Sequence, residues 1–185
     1  PYKEAYPRDR DNKNYQDEVA AIHKKIHSEA IEVAASIVSK FLEIGLSQVA
    51  ITDHNGLGTI WTDDESESRH MDLSAPTWYE LIDDQAQKIN RKAGKTLLSI
   101  LPGVEISTNG MHILAIFPPQ KPRRQVHFMI CDLLHELGFS PDEWGRNPEV
   151  GSASAFDTIE LITRKGGLPM PAHIDGSDQA MLKLF

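Results

Sequence analysis

The sequence predicts an α/β protein, a parallel sheet covered by helices, and three observations lead there. Amphipathic stretches of helical period alternate along the chain with short apolar runs. Those runs, Gln48–Thr52, Thr96–Leu101, His112–Phe117 and Leu168–Ala172, are nearly continuously apolar, as strands buried on both faces are. Histidines and carboxylates gather where the runs begin or end, the edge at which open α/β sheets and barrels assemble ligand sites.

Residues 1–20 are polar and aperiodic and read as an extension or loop, leaving 21–185 as one domain. From Asp17 to Ile44 the pattern is helical, with Ile31, Ala34, Ala35, Val38, Phe41 and Leu42 on one face and Gly45 as the stop. A strand over Gln48–Thr52 is expected to run into a turn at Asp53-His-Asn-Gly56, followed by an exposed acidic loop holding Asp63, Asp64, Glu65 and Glu67. Pro76 is expected to open a helix that Gly94 closes. Strands over Thr96–Leu101 and His112–Phe117 flank the segment Pro102-Gly-Val-Glu-Ile-Ser-Thr-Asn-Gly110, read as a glycine turn with Glu105 and His112 at its ends. A helix from Val126 to Leu137 stops at Gly138, and a helix capped by Ser154 or Asp157 stops at Gly166-Gly167. Leu168–Ala172 is the last strand, ending at His173.

The chain has 185 residues and 20.7 kDa, enough for one domain with its own core. No run approaches the ~20 apolar residues of a membrane helix, so no membrane partner is expected. The single Cys131 excludes an internal disulfide and suits a reducing, cytoplasmic setting. A net charge of −8 argues against a general basic surface for nucleic acid, although a metal ion in an acidic site supplies positive charge where a phosphate would sit. The clusters Lys88, Arg91, Lys92, Lys95 and Lys121, Arg123, Arg124 are read first as solvated, with a phosphate-backbone track as the alternative. Pro1 is not a methionine, and Met181–Phe185 reads as an interrupted helix, so a fragment is expected.

Carboxylate oxygen and imidazole nitrogen together suit Zn²⁺, Mn²⁺ or Fe. A single histidine at a strand end serves as readily for capping as for ligation, but His54, the Glu105/His112 pair and His173 repeat the arrangement. His112 opens its strand, so the chain after Glu105 must fold back to the same rim. Asp53 either orients His54 or caps its turn, and Asp175 stands in the same relation to His173. His23 and His27, four apart on the first helix, have two lysines between them and are read as a solvated pair; His127 and His135 are assigned to packing or capping.

The motifs Ile51-Thr-Asp-His-Asn55, Pro102-Gly-Val-Glu105 with His112-Ile-Leu-Ala, and Gly166-Gly-Leu-Pro-Met-Pro-Ala-His173 together resemble those of the PHP (polymerase and histidinol phosphatase) domains, over about residues 30–175. The resemblance implies a distorted (β/α)7 barrel, incomplete in this chain, holding two or three divalent ions (Mn, Zn or Fe). It makes His54, Glu105, His112 and His173 metal ligands, Glu105 a bridge between ions, and His54, Glu105 and Asp53 the catalytic set. The implied activity is phosphodiester hydrolysis by metal-activated water, as in a nuclease. The alternatives are a phosphomonoesterase of histidinol-phosphatase type and a non-catalytic docking module of a larger ATPase assembly. Two family motifs are missing: a His-x-His on the first strand and an Asp-x-His on the last, Asp175 and Asp178 lying too close to His173 to replace it. Phrases such as His-Ile-Leu-Ala-Ile-Phe-Pro are most similar to PHP domains that precede an ATPase in TrlF-like proteins. An ATPase domain or subunit is therefore an implied partner, beside a nucleic-acid or other phosphodiester substrate.

Overall fold

The computed structural model describes residues 13–56, 58, 76–119, 124–140, 144 and 151–173. Its elements are α1 (Lys13–Glu43), β1 (Gln48–His54), α2 (Trp78–Ala93), β2 (Ser99–Ser107), β3 (His112–Ile116), α3 (Arg124–Glu136), α4 (Ala155–Arg164) and β4 (Leu168–Pro171). The acidic loop at 63–67, Lys121, Arg123, Asp175, Asp178 and the chain's last residues lie outside the described residues.

Local chemistry sets the helix limits. α1 ends at Gly45, whose φ of 81° lets its N–H reach the Leu42 carbonyl and the Leu46 N–H reach that of Phe41, a left-handed stop that glycine adopts without strain. α2 begins at Trp78 rather than Pro76, because Thr77 and Glu80 form a capping box. The Thr77 hydroxyl accepts from Glu80 N at 3.1 Å, and Thr77 N donates to the Glu80 carboxylate at 2.9 Å. Ser154, not Asp157, is the N-cap of α4 and accepts from Asp157 N. Asn90 ties α2 to the start of β2: its amide nitrogen donates to the Leu98 carbonyl at 2.8 Å and its oxygen accepts from Leu97 N at 2.7 Å.

The sheet has the order β1-β2-β3-β4 and is open and mixed, which corrects the expected parallel sheet. β1 and β2 are parallel, with α2 between them in sequence; β3 is antiparallel to β2, and β4 to β3. Only residues 108–111 separate β2 from β3, too few for the crossover that a parallel pair requires. They close a hairpin in which the Met111 carbonyl accepts from Thr108 N at 3.0 Å and from its hydroxyl at 2.7 Å. The run Pro102–Glu105 is therefore strand and not turn. Pro102 is tolerated because its carbonyl, which accepts from Phe117 N at 2.9 Å, faces β3 where that ladder ends, so its missing donor interrupts nothing further along. A seven-stranded barrel is not shown among the described residues.

Strand alternation divides the sheet into two unlike faces. Val104, Ile106, Ile113 and Ala115 are buried against α3 and α4 with Ile130, Leu133, Leu134 and Ile162. Ile100 continues that face under α1 and α2, packed with Ala34, Val38, Ile82 and Ala86. The opposite face carries Leu101, Leu114, Ile116, Leu168 and Met170 beside His54, Glu105, Ser107 and His112. None of those five apolar residues joins either core cluster, and Leu168 and Met170 are 58% and 42% exposed.

Candidate metal centre

Register brings the predicted ligands together. His54 ends β1 and is the direct pairing partner of Glu105 on β2. In the antiparallel β2–β3 pair, Glu105 faces Leu114 and Ser107 faces His112, which makes Glu105 and His112 diagonal neighbours on one face. The Ala172 N–H donates to the His112 carbonyl at 2.9 Å, which carries His173 to the same rim one residue past that contact. Thus the ends of β1, β2 and β4 and the beginning of β3 meet at one edge, as the fold-back expected of His112 requires.

Glu105 is the centre of the cluster. Its Oε1 accepts from His112 Nδ1 at 2.8 Å and from His173 Nε2 at 3.0 Å. The His54 and His112 rings meet edge-on with centroids 5.0 Å apart, and those of His112 and His173 lie 5.5 Å apart. Burial grades outward: the side chains of His112 and Glu105 are 13% and 16% exposed and that of His173 48%. His173 has a φ of 51°, unusual for a residue with a side chain, and such backbone is found at ligand clamps.

The donor set fits a divalent ion. One ligand atom from each of His54, Glu105 and His112 lies within 4.8 Å of the others. Two nitrogen or oxygen atoms on one tetrahedral ion at ~2.0–2.1 Å are about 3.4 Å apart, so modest shifts of these side chains suffice. Mixed imidazole and carboxylate donors suit Zn²⁺, Mn²⁺ and Fe alike.

Asp53 is not brought into this cluster. Adjacent strand residues face opposite sides, and its carboxylate accepts from Gly58 N at 3.0 Å, the turn-capping alternative. Burial holds the Asp53 carboxyl above its ordinary value, against the lowering effect of the Gly58 N–H. His23 and His27 lie on α1, partly buried rather than solvated; His127 is buried on α3, as packing requires, and His135 is exposed in its last turn. Lys88, Arg91, Lys92 and Lys95 are exposed. They lie at or just after the C-terminal end of α2, before β2 begins. The rise of a nine-residue strand, about 3.3 Å per residue, separates that end from the rim holding Ser107.

Sequence reasoning passed over two polar residues of the site. Ser107 lies two residues after Glu105 and therefore on its face, and its Oγ is 3.1 Å from His54 Nε2. Asn55, fully buried at φ 49°, donates from Nδ2 to Ser107 Oγ at 3.1 Å and accepts at Oδ1 from Ser107 N at 2.8 Å. The period of two along β2 was the available signal for Ser107; Asn55 gave none beyond its place in the motif. No protein-family model matches the chain, and a search of curated proteins returns no match.

Proposed function

We propose that this chain is a metal-dependent phosphoesterase of PHP type, acting on phosphodiesters, with His54, Glu105, His112 and His173 as ligands. The observation that carries the reading is the meeting of two histidines on one Glu105 oxygen, with His54 alongside, at a single sheet rim. The sheet face around it, whose apolar residues join neither core cluster, supports the barrel: a face with apolar residues along its length and ligands at one end is what part of a closed barrel turns inward, helices lying outside.

A divalent ion supplies a bound water of pKa near 7 and a counter-charge for phosphoryl oxygens. The chain's own residues divide the remaining work. Glu105 brings negative charge to a largely buried position, His54 and His112 flank it from neighbouring strands, and half-exposed His173 bounds the site toward solvent. Asp53 holds the turn after β1 through Gly58 and takes no part in proton transfer.

The preference for diesters over monoesters draws on the motif resemblance and takes nothing from the α2 basic cluster, which lies toward the other end of the sheet. The experiment is a metal count on protein purified without chelator, followed by hydrolysis of bis-p-nitrophenyl phosphate and p-nitrophenyl phosphate with Mn²⁺. Bound metal and diester cleavage that His54→Ala and Glu105→Ala abolish are expected. Monoester preference would move the assignment to the histidinol-phosphatase type. Stoichiometric metal with no hydrolysis of either substrate would favour the docking module, and cleavage retained in both variants would sink the assignment.

A further inference from the structure

We propose that Asn55 and Ser107 are positioning residues for His54, a two-residue relay that fixes the rotation of its imidazole. The inference rests on the metal-site reading for its purpose, but its geometry stands by itself. The backbone N–H of Ser107 can only donate, so its 2.8 Å contact identifies the Asn55 atom it meets as the amide oxygen. The other end of the amide is then NH₂ and donates to Ser107 Oγ at 3.1 Å. That hydroxyl belongs to a residue only 2% exposed, and its oxygen has a second lone pair beyond the one that Asn55 meets. Its remaining contact among the described residues is His54 Nε2 at 3.1 Å. An imidazole that offers Nδ1 to an ion carries its ring proton on Nε2, and the Ser107 oxygen accepts that proton, so the contact holds the ring and leaves the Nδ1 lone pair for the metal.

The relay is anchored at its far end. Asn55 N donates to the Glu105 carbonyl at 2.6 Å, extending the β1–β2 ladder by one residue, and the left-handed backbone of Asn55 turns its amide back over β2. Asparagine is among the few residues with a side chain that enter this region readily. One residue therefore ends β1, turns the chain and aims the hydroxyl, while Glu105 and His54 are held in register beside it. Outer partners of this kind set the orientation of ligand histidines, and losing one weakens metal binding by about 10–100-fold.

The test uses Ser107→Ala and Asn55→Gly, the glycine keeping the left-handed backbone while removing the amide. Zn²⁺ affinity is measured by competition with a chromogenic chelator, and the His54 ring state in metal-free protein by two-bond ¹H–¹⁵N spectra. In the wild type, His54 is expected as the Nε2–H tautomer. Each variant is expected to move the His54 ring ¹⁵N signals away from their wild-type values and to weaken Zn²⁺ about 10-fold. The double variant is expected to be no worse than either single by more than about twofold, since both act through one contact. Zn²⁺ affinity within twofold of wild type together with unchanged His54 signals would overturn the proposal. So would an affinity loss without a change in those signals, because the effect would then have reached the site by another route. Should the wild type bind no Zn²⁺, the metal reading fails, and the ring spectra alone decide between a positioned His54 and one indifferent to Ser107.

Discussion

Glu105→Gln separates the charge at the centre of the cluster from its shape. Glutamine keeps an oxygen able to accept from His112 and His173, now 2.8 and 3.0 Å away, so the metal-free fold should change little. What disappears is the negative charge. Two unit charges 4 Å apart at an effective dielectric of 20 attract by about 4 kcal/mol. A dication on the carboxylate is nearer and doubly charged, while desolvation offsets part of the gain, so ~4 kcal/mol is the working figure, roughly 10³-fold in Kd. With Mn²⁺ at about 100 times the wild-type Kd, binding stabilises the native state by about 2.7 kcal/mol. At about 2–4 °C per kcal/mol for a chain of this size, that is a rise in Tm of roughly 5–11 °C. The variant at the same concentration fills about a tenth of its sites and gains under ~0.1 kcal/mol. Thermal melts in EDTA and in Mn²⁺ are therefore expected to show similar metal-free midpoints and a rise confined to the wild type. An equal rise in both proteins would place the ion elsewhere and refute the reasoning.

Two further outcomes follow from packing. A Cβ at residue 103 would lie 2.8 Å from both the Ala115 carbonyl oxygen and Thr52 Cγ2, so Gly103→Ala should push β1 and β3 away from β2 and lower stability by about 1–3 kcal/mol. An unchanged urea midpoint would show that the strands are not so close. Burial raises the Cys131 thiol from an ordinary 9.0 to about 11, so at pH 8 its thiolate, and with it the rate of reaction with a disulfide reagent, should be roughly 100-fold below that of the unfolded chain. The native thiol keeps its proton where the unfolded one loses it, so this group makes stability fall between about pH 9 and 11. A native rate within threefold of the unfolded one would contradict the burial.

What the sequence showed of this site was its parts, because ligand chemistry is local. His54 at the end of an apolar run, Glu105 and His112 around a glycine, and His173 after the last run are visible without knowing which strands pair. The pairing His54↔Glu105 joins positions 51 residues apart and has no local signature. The direction of β3 was legible, since residues 108–111 cannot carry a crossover, but a continuously apolar run such as His112–Ile116 hides it by looking the same in either direction. Asp53 was left between two roles for a related reason: β1 extends through His54, two residues past the expected end, so alternation separates the two neighbours and leaves the capping contact with Gly58. The Thr77-x-x-Glu80 box, by contrast, is a purely local signal that marks the start of α2 better than Pro76 does.

The four proposed ligands are not held equally, and the difference bears on how an ion would be bound. His54, Glu105 and His112 stand on strands paired to one another, with Asn55 and Ser107 bracing the His54 side. Their geometry is set when β1, β2 and β3 pair. His173 lies beyond the end of β4, half exposed, connected to the rim by the Ala172–His112 bond and its own contact with Glu105. Because an ion joining all four would link every strand of an open sheet at one edge, its binding energy would appear as stability of that edge. The largest gain would fall on β4, which has only four residues and, among the described residues, one paired neighbour. Hydrogen exchange at the Leu168 and Met170 amides, the two that the prolines of β4 leave, should therefore slow on metal addition more than exchange in β2, already paired on both sides. Equal protection of the two strands would mean that His173 stays outside the coordination sphere and that the inner three residues form the whole site.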